Sequence, residues 1–279
     1  MSTSSVAPDY PYNLRYAAVL QHNPITNEPF IPLPAPHSNI RLTPARLEDA
    51  SALVEILNSP EVYMNILAPP FPYLREHADE WLQNYVRDYE KAMADIRNVD
   101  GDVGFLDKFP LGHIREVALD GTETLLGAIG LMREDQFVEI RDSEARIARV
   151  NTNLNLPTGD PHVVWTIGGK WLFYFIARDQ LDDHHDIWVD YLRPTHHGRG
   201  VMTAVVKALI ELWAIPHMNA HKFLATPFTH NIGSQKVFQK NGFQLTGHVV
   251  GAFRLSESKG GHVMDCSCFV RDVPPDGSI

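Results

Sequence analysis

Apolar positions in this chain switch between two periods, and each switch marks an element. Ile40-Arg-Leu-Thr43 alternates and predicts a first strand. Leu47, Ala50, Leu53, Val54 and Leu57 follow at helical spacing. Trp81, Leu82, Tyr85, Tyr89 and Met93 then form the apolar stripe of a second helix over residues 76–96. Residues 113–119 and 125–132 flank Asp120-Gly121, a strong hairpin signal, and read as paired strands. A polar helical piece is expected around residues 141–150, and the aromatic run at residues 171–176 reads as an extra strand. Residues 186–192 read as a strand that stops at Pro194, followed by a helix from Gly200 towards Trp213 and a short buried strand at residues 222–226. A helix over residues 231–241 and a hairpin of residues 243–254 and 262–270 close the pattern.

Prolines at positions 8, 11, 24, 29, 32, 34 and 36 predict an irregular, partly extended arm over residues 1–39, lying across the domain surface. The organisation expected is that arm, one domain over residues 40–272, and a loose tail at 273–279. The apolar and charged fractions are those of a packed globular protein. A net charge of −10 argues against nucleic acid as a partner, since such binders show a basic face. It suits a cationic amine, and equally serves solubility.

The two cysteines, Cys266 and Cys268, alternate on a predicted strand, where a disulfide has poor geometry. A reducing, cytoplasmic setting is expected from this. No apolar run is read as reaching the roughly 18 residues of a membrane span, and no leader is read at the start, so no membrane partner is expected. A monomer or a homodimer is compatible with the pattern. The pairs His184-His185 and His196-His197 bracket one strand, about 30 Å long if it holds some ten residues. They cannot close around one ion, so no metal is expected.

Two segments carry chemistry. In the first, Thr195-His-His-Gly198-Arg-Gly200-Val-Met-Thr203, the glycines allow a sharp turn and the helix that follows presents unpaired N–H groups. That combination binds phosphate. In the second, Asn231-Ile-Gly-Ser234-Gln-Lys236-Val-Phe238-Gln-Lys-Asn-Gly242-Phe243, Asn231 is a natural N-cap and Gly242 a left-handed C-terminal cap.

In that order the two segments resemble those of the GNAT N-acetyltransferase superfamily, and of its RimJ/RimL-like ribosomal-protein alanine acetyltransferases in particular. The likeness rests on Asn231, Ser234, Lys236, Val237, Lys240, Gly242 and Phe243, and on Gly200 in the turn. It covers residues 41–132 and 186–271 and is specific over 186–243. Residues 133–185 depart from the family pattern and read as an insertion. The resemblance implies an α/β (α+β) fold. It would be a mixed, mostly antiparallel sheet of six or seven strands, splayed between its fourth and fifth strands, with helices on both faces.

It further implies acetyl-CoA as acyl donor and transfer to a primary amine, from a small molecule or a peptide. A small amine is favoured because the arm and the insertion would enclose the acceptor. A protein N-terminus as acceptor, or a catalytically idle CoA-binding scaffold, are the alternatives. Leu192, His197, Gly198, Arg199, Gly200, Val201, Met202, Thr203, Asn231, Ser234 and Lys236 would hold the coenzyme. Its arm would lie between residues 186–192 and 222–226, as if it were an added strand. His197 and Met202 replace the family's usual Arg/Gln and Gly/Ala. A protonated amine needs a base, and Asp186 and Asp190, on one face of the strand, are equal candidates. Phe238 stands where many members place a tyrosine acid, which leaves Ser234 as the proton donor to the thiolate.

Overall fold

The computed structural model describes residues 11–98, 104–168 and 189–274. The run at residues 171–176 and the carboxylate of Asp186 lie outside the described residues.

The first sheet has the order β1-β2-β3-β4-β5-β8 and the second β10-β11-β9-β7-β6. In the first are β1 (Gln21–Asn23), β2 (Glu28–Pro32), β3 (Ile40–Thr43), β4 (His113–Val117), β5 (Glu123–Ala128) and β8 (Tyr191–Leu192). In the second are β6 (Leu131–Arg133), β7 (Val164–Ile167), β9 (Lys222–Ala225), β10 (Gln244–Arg254) and β11 (Val263–Asp272). Every pair is antiparallel except β7 with β9. The helices are α1 (Ala50–Leu57), α2 (Pro60–Tyr63), α3 (Arg75–Arg97), α4 (Ser143–Leu154), α5 (Val201–Met218) and α6 (Ile232–Lys240).

The proline-rich arm is more ordered than its composition predicts. It supplies the β1–β2 hairpin, which joins the sheet by pairing Ile31 with Leu42. Pro29 lies in the part of β2 paired with β1 alone and Pro32 in the part paired with β3 alone, so each forfeits a donor to one neighbour only, while Phe30 and Ile31 are buried between them. Upstream, the Tyr16 ring stacks on Trp213 of α5 at 5.7 Å and meets His217 at 4.8 Å. The arm is thus part of the core.

A second difference concerns the parallel pair. The sequence places it between residues 186–192 and 222–226. In the structure the parallel neighbour of β9 is β7, with Val164 opposite Lys222 and Thr166 opposite Leu224. β5 and β6 are separated only by Ile129 and Gly130, and β8 pairs with β5 while β7 pairs with β6. β7 and β8 therefore lie end to end along one line. Part of the segment read as an insertion is sheet. Its Val-Trp-Thr-Ile run is β-branched and wholly buried, as an inner strand requires.

β5 and β8 approach closely because position 127 is glycine. A Cβ there would sit 2.1 Å from the Tyr191 carbonyl oxygen. From β8, neighbouring side chains enter opposite cores. Tyr191 packs with Leu53, Leu57, Leu82 and Tyr85 of α1 and α3. Leu192 joins Val205, Leu209 and Trp213 of α5. This is the two-faced burial that a strand covered by helices on both faces demands.

By length and composition α5 could cross a membrane, with a mean hydropathy of 1.4 over 18 residues, contrary to the expectation that no run would reach that length. Here it is a core helix, with Val201, Val205, Leu209, Trp213 and Met218 all buried. Leu209–Ala214 within it is wound as a π-helix.

Candidate functional site

β8, the turn after it and α5 form the first wall of the site. Gly200 caps α5 with φ 81°, and Gly198 has φ 72°, backbone that other residues enter only under strain. The first helical bond runs from Ala204 N to Gly200 O. The amides of Val201, Met202 and Thr203 precede it and face outward without helical acceptors. The space over the turn is open: a Cβ on Gly198 would meet nothing within 4 Å, and one on Gly200 would meet only the His37 ring at 3.6 Å.

His197 borders this space and also supports the turn. Its Nε2 lies 2.7 Å from the Leu192 carbonyl and braces the turn against the strand. Glu116 does the same from the other side, accepting from Asn39 at 3.1 Å and facing His196 at 3.3 Å.

The second wall is α6. Asn231 caps it, its Oδ1 accepting from Ser234 N at 3.0 Å. At the far end the Asn241 amide donates to Thr203 O at 3.2 Å and Val237 O at 2.9 Å, which ties α6 to α5. Gly242 has φ 78°, as a left-handed cap requires.

Two cavities open between these walls. The larger, about 500 Å³, runs from the glycine turn along β8 and α6. Of the sequence-predicted residues, Leu192, His197, Gly198, Gly200, Val201, Met202, Thr203, Asn231, Ser234 and Lys236 line it, as does Asp190; Arg199 does not. The smaller, about 120 Å³, lies between the loop at residues 65–68, the ends of β7 and β9, and Phe228 and Phe253. Asn65, Ile66, Asp190, Asn231, Ser234 and Phe238 border both.

Asp190 thus stands where the cavities meet. Its Oδ1 accepts from Gly130 N at 2.9 Å. Burial raises its pKa to about 7, and the Gly130 hydrogen bond offsets only part of that shift. A carboxylate poised near neutrality at a cavity junction suits proton transfer. Glu134 is a second such group. It is buried, raised to about 7 by desolvation, and bonded by Gln136 N and Phe137 N at 2.7 and 2.8 Å. It lines neither cavity.

The aromatic and proline content of the loop at residues 63–73 marks it for a pocket wall, and it supplies Ile66 and Leu67 to the smaller cavity. Sequence reasoning missed the rest of that lining: Thr166 and Gly168 come from a segment read as insertion. Phe228 and Phe253 are apolar residues with no motif around them. Among the described residues no cluster of His, Cys, Asp or Glu could hold a metal ion.

Residues 174–244 match the family model described as acetyltransferase (GNAT) domain. No curated protein matches the chain. Among solved structures, RimL, the ribosomal L7/L12 alpha-N-protein acetyltransferase, is similar at a TM-score of 0.52 with 13% identity, over 91% of this chain and 99% of that one. The ribosomal-protein-S5-alanine acetyltransferase from Vibrio fischeri is similar at 0.50 with 13% identity, over 84% and 93%. The microcin C7 self-immunity acetyltransferase MccE, solved with acetyl-CoA and AMP, is similar at 0.50 with 14% identity, over 85% and 93%. Residues 174–244 are thus similar to a GNAT acetyltransferase domain, and the fold is shared with RimL and with the ribosomal-protein-S5-alanine acetyltransferase.

Proposed function

We propose that this protein transfers an acetyl group from acetyl-CoA directly to a small primary amine. One observation carries the reading. Asp190 and Ser234 border both the cavity that leads from the glycine turn and the smaller one beside it.

In this reading the amides of Val201, Met202 and Thr203 hold the pyrophosphate at the helix N-terminus, and Lys236 adds a cation on the adjoining wall. Arg199, outside the cavity lining, acts at most from the surface. The pantetheine arm follows β8, next to which the two sheets part, and its amides pair with free strand groups as an added strand would. This brings the thioester to the junction. RimL and MccE have been solved with coenzyme A and with acetyl-CoA, respectively, and the open space above Gly198 and Gly200 suits the same donor.

The acceptor enters through the 120 Å³ cavity. Its ammonium loses a proton to Asp190, which is charged above about pH 7. The freed amine attacks the thioester carbonyl. The C–S bond breaks as the tetrahedral intermediate collapses, and the thiolate is protonated by Ser234 or by solvent, since Phe238 offers no proton. Asp186 remains a second candidate base. The cavity's small volume favours a compact amine over a peptide N-terminus. The two free cysteines, Cys266 and Cys268, fit a reducing cytoplasm.

The test is thiol release from acetyl-CoA across a panel that includes small amines and peptides with free N-termini. Turnover on compact amines that collapses in Asp190→Asn supports the proposal. Tight coenzyme binding without turnover on any amine replaces it with a scaffold. Turnover on peptides alone replaces the acceptor class.

A further inference from the structure

Lys259 is buried, 4% exposed, at the tip of the β10–β11 hairpin. Its Nζ donates to the carbonyls of Ile66 at 2.9 Å and Leu67 at 3.3 Å. Among the described residues no carboxylate pairs with it. A buried ammonium is expensive unless its donors are satisfied, and burial lowers this one to about 8. An apolar side chain of the same length would fill the space without that cost, so packing alone does not account for a lysine. What the ammonium adds is a grip on two consecutive backbone carbonyls.

Those carbonyls belong to the loop that walls the smaller cavity. Residues 65–68 line it, and Asn65 and Ile66 also border the junction where Asp190 lies. The same hairpin holds the loop by apolar contact, since Leu67 packs into the cluster of Phe228, Phe253 and Leu255. Loop and hairpin are about 190 residues apart in sequence. No other hydrogen bond in the described structure joins the Lys259 turn to this loop.

We propose that Lys259 is a positioning residue for the acceptor: it fixes the carbonyls of Ile66 and Leu67, and so the wall that sets the amine against Asp190. This rests on the reading of the smaller cavity as the acceptor site. Lys259 touches neither substrate and acts through the loop. The donor cavity has its own supports, the Asn241 tie between α5 and α6 and the His197 brace, and takes only Asn65 and Ile66 of its lining from this loop.

The experiment compares the full-length wild type with Lys259→Met, which keeps the length but removes the donors, and Lys259→Gln, which keeps an N–H donor. Two readouts are taken, amide hydrogen exchange at residues 65–68 and steady-state kinetics in both substrates. For Lys259→Met the loop amides should exchange about tenfold faster, and KM for the amine should rise about tenfold, the scale of a lost charged hydrogen bond. KM for acetyl-CoA should stay within about twofold, because a lost acceptor contact leaves donor binding intact. Lys259→Gln should fall between wild type and Met, and it carries both readouts if the Met variant does not fold. Unchanged exchange, or equal rises in both KM values, overturns the proposal. Wild-type protein without turnover on any amine would defeat the acceptor-site reading instead, while the exchange result still decides whether Lys259 holds the loop.

Discussion

The two cavities that meet at Asp190 are built in opposite ways. The larger one, the proposed donor cavity, is made mostly by the stretch of chain from β8 to α6, with Glu61, Val62, Asn65 and Ile66 closing one side, and its proposed working parts are backbone: left-handed glycines, first-turn amides and a capping asparagine. The acceptor cavity is assembled from the loop after α2, the end of β7, the end of β9 and side chains of β10, segments scattered from residue 65 to residue 253. Backbone recognition of a fixed ligand requires local residue types at fixed spacing. An apolar pocket requires only that side chains of fitting size converge, and many sequences satisfy that.

The sharpest way to break the comparison is at the group both halves share. Asp190→Asn keeps an oxygen to accept from Gly130 and removes the base, so kcat should fall on the order of 1,000-fold with coenzyme affinity unchanged. In the wild type kcat/KM should rise as pH passes about 7, where Asp190 ionises, and this limb should vanish in the variant. Stability moves the other way. With the folded pKa raised, Asp190 contributes stability when both states are protonated, below about pH 4, and loses it as pH rises through about 7. Asp190→Asn should therefore be more stable than wild type at pH 8, on the order of 1–3 kcal/mol. The gain should disappear by pH 4, as read by denaturant midpoints.

Next in size is Gly200→Glu, which tests the donor half alone. A carboxylate over the turn repels phosphate, and coenzyme affinity by calorimetry should drop on the order of 100-fold. The φ of 81° adds strain for any side chain. Gly200→Ala is therefore the control, and should lose stability while keeping most of the binding. If Gly200→Glu binds acetyl-CoA like Gly200→Ala, the turn does not hold the pyrophosphate.

Ser234→Ala is a smaller test of the junction. A coenzyme A thiol is already a fair leaving group, so kcat should fall only about fivefold. A loss as large as that of Asp190→Asn would make Ser234 the principal acid. Asn231→Ala removes the α6 cap and should cost about 1 kcal/mol of stability. It should also weaken donor binding, because α6 is the second wall of that cavity. Were it to raise the amine KM alone, the division between the two halves would be wrong.

Much of the donor half was legible in the residues. The Gly198–Gly200 turn, the Asn231 cap and the Gly242 terminator each need a backbone conformation that few residues supply, so their identity predicts their geometry. Most strands and helices followed from periodicity, down to the bounds of Ile40–Thr43. Elsewhere local rules misled. Seven prolines predicted an irregular, partly extended arm, yet Phe30 and Ile31 carry it into the sheet, because antiparallel pairing with one neighbour needs donors only at alternate positions.

The sequence alone determined the glycine turn and the order of elements around it, because strained backbone and capping geometry restrict residue choice within a few positions. Only the tertiary structure decided that β7 takes the place beside β9. It also decided that Asp190, and not Glu134, borders both cavities. Those outcomes depend on long-range packing and desolvation, which no short stretch of residues encodes.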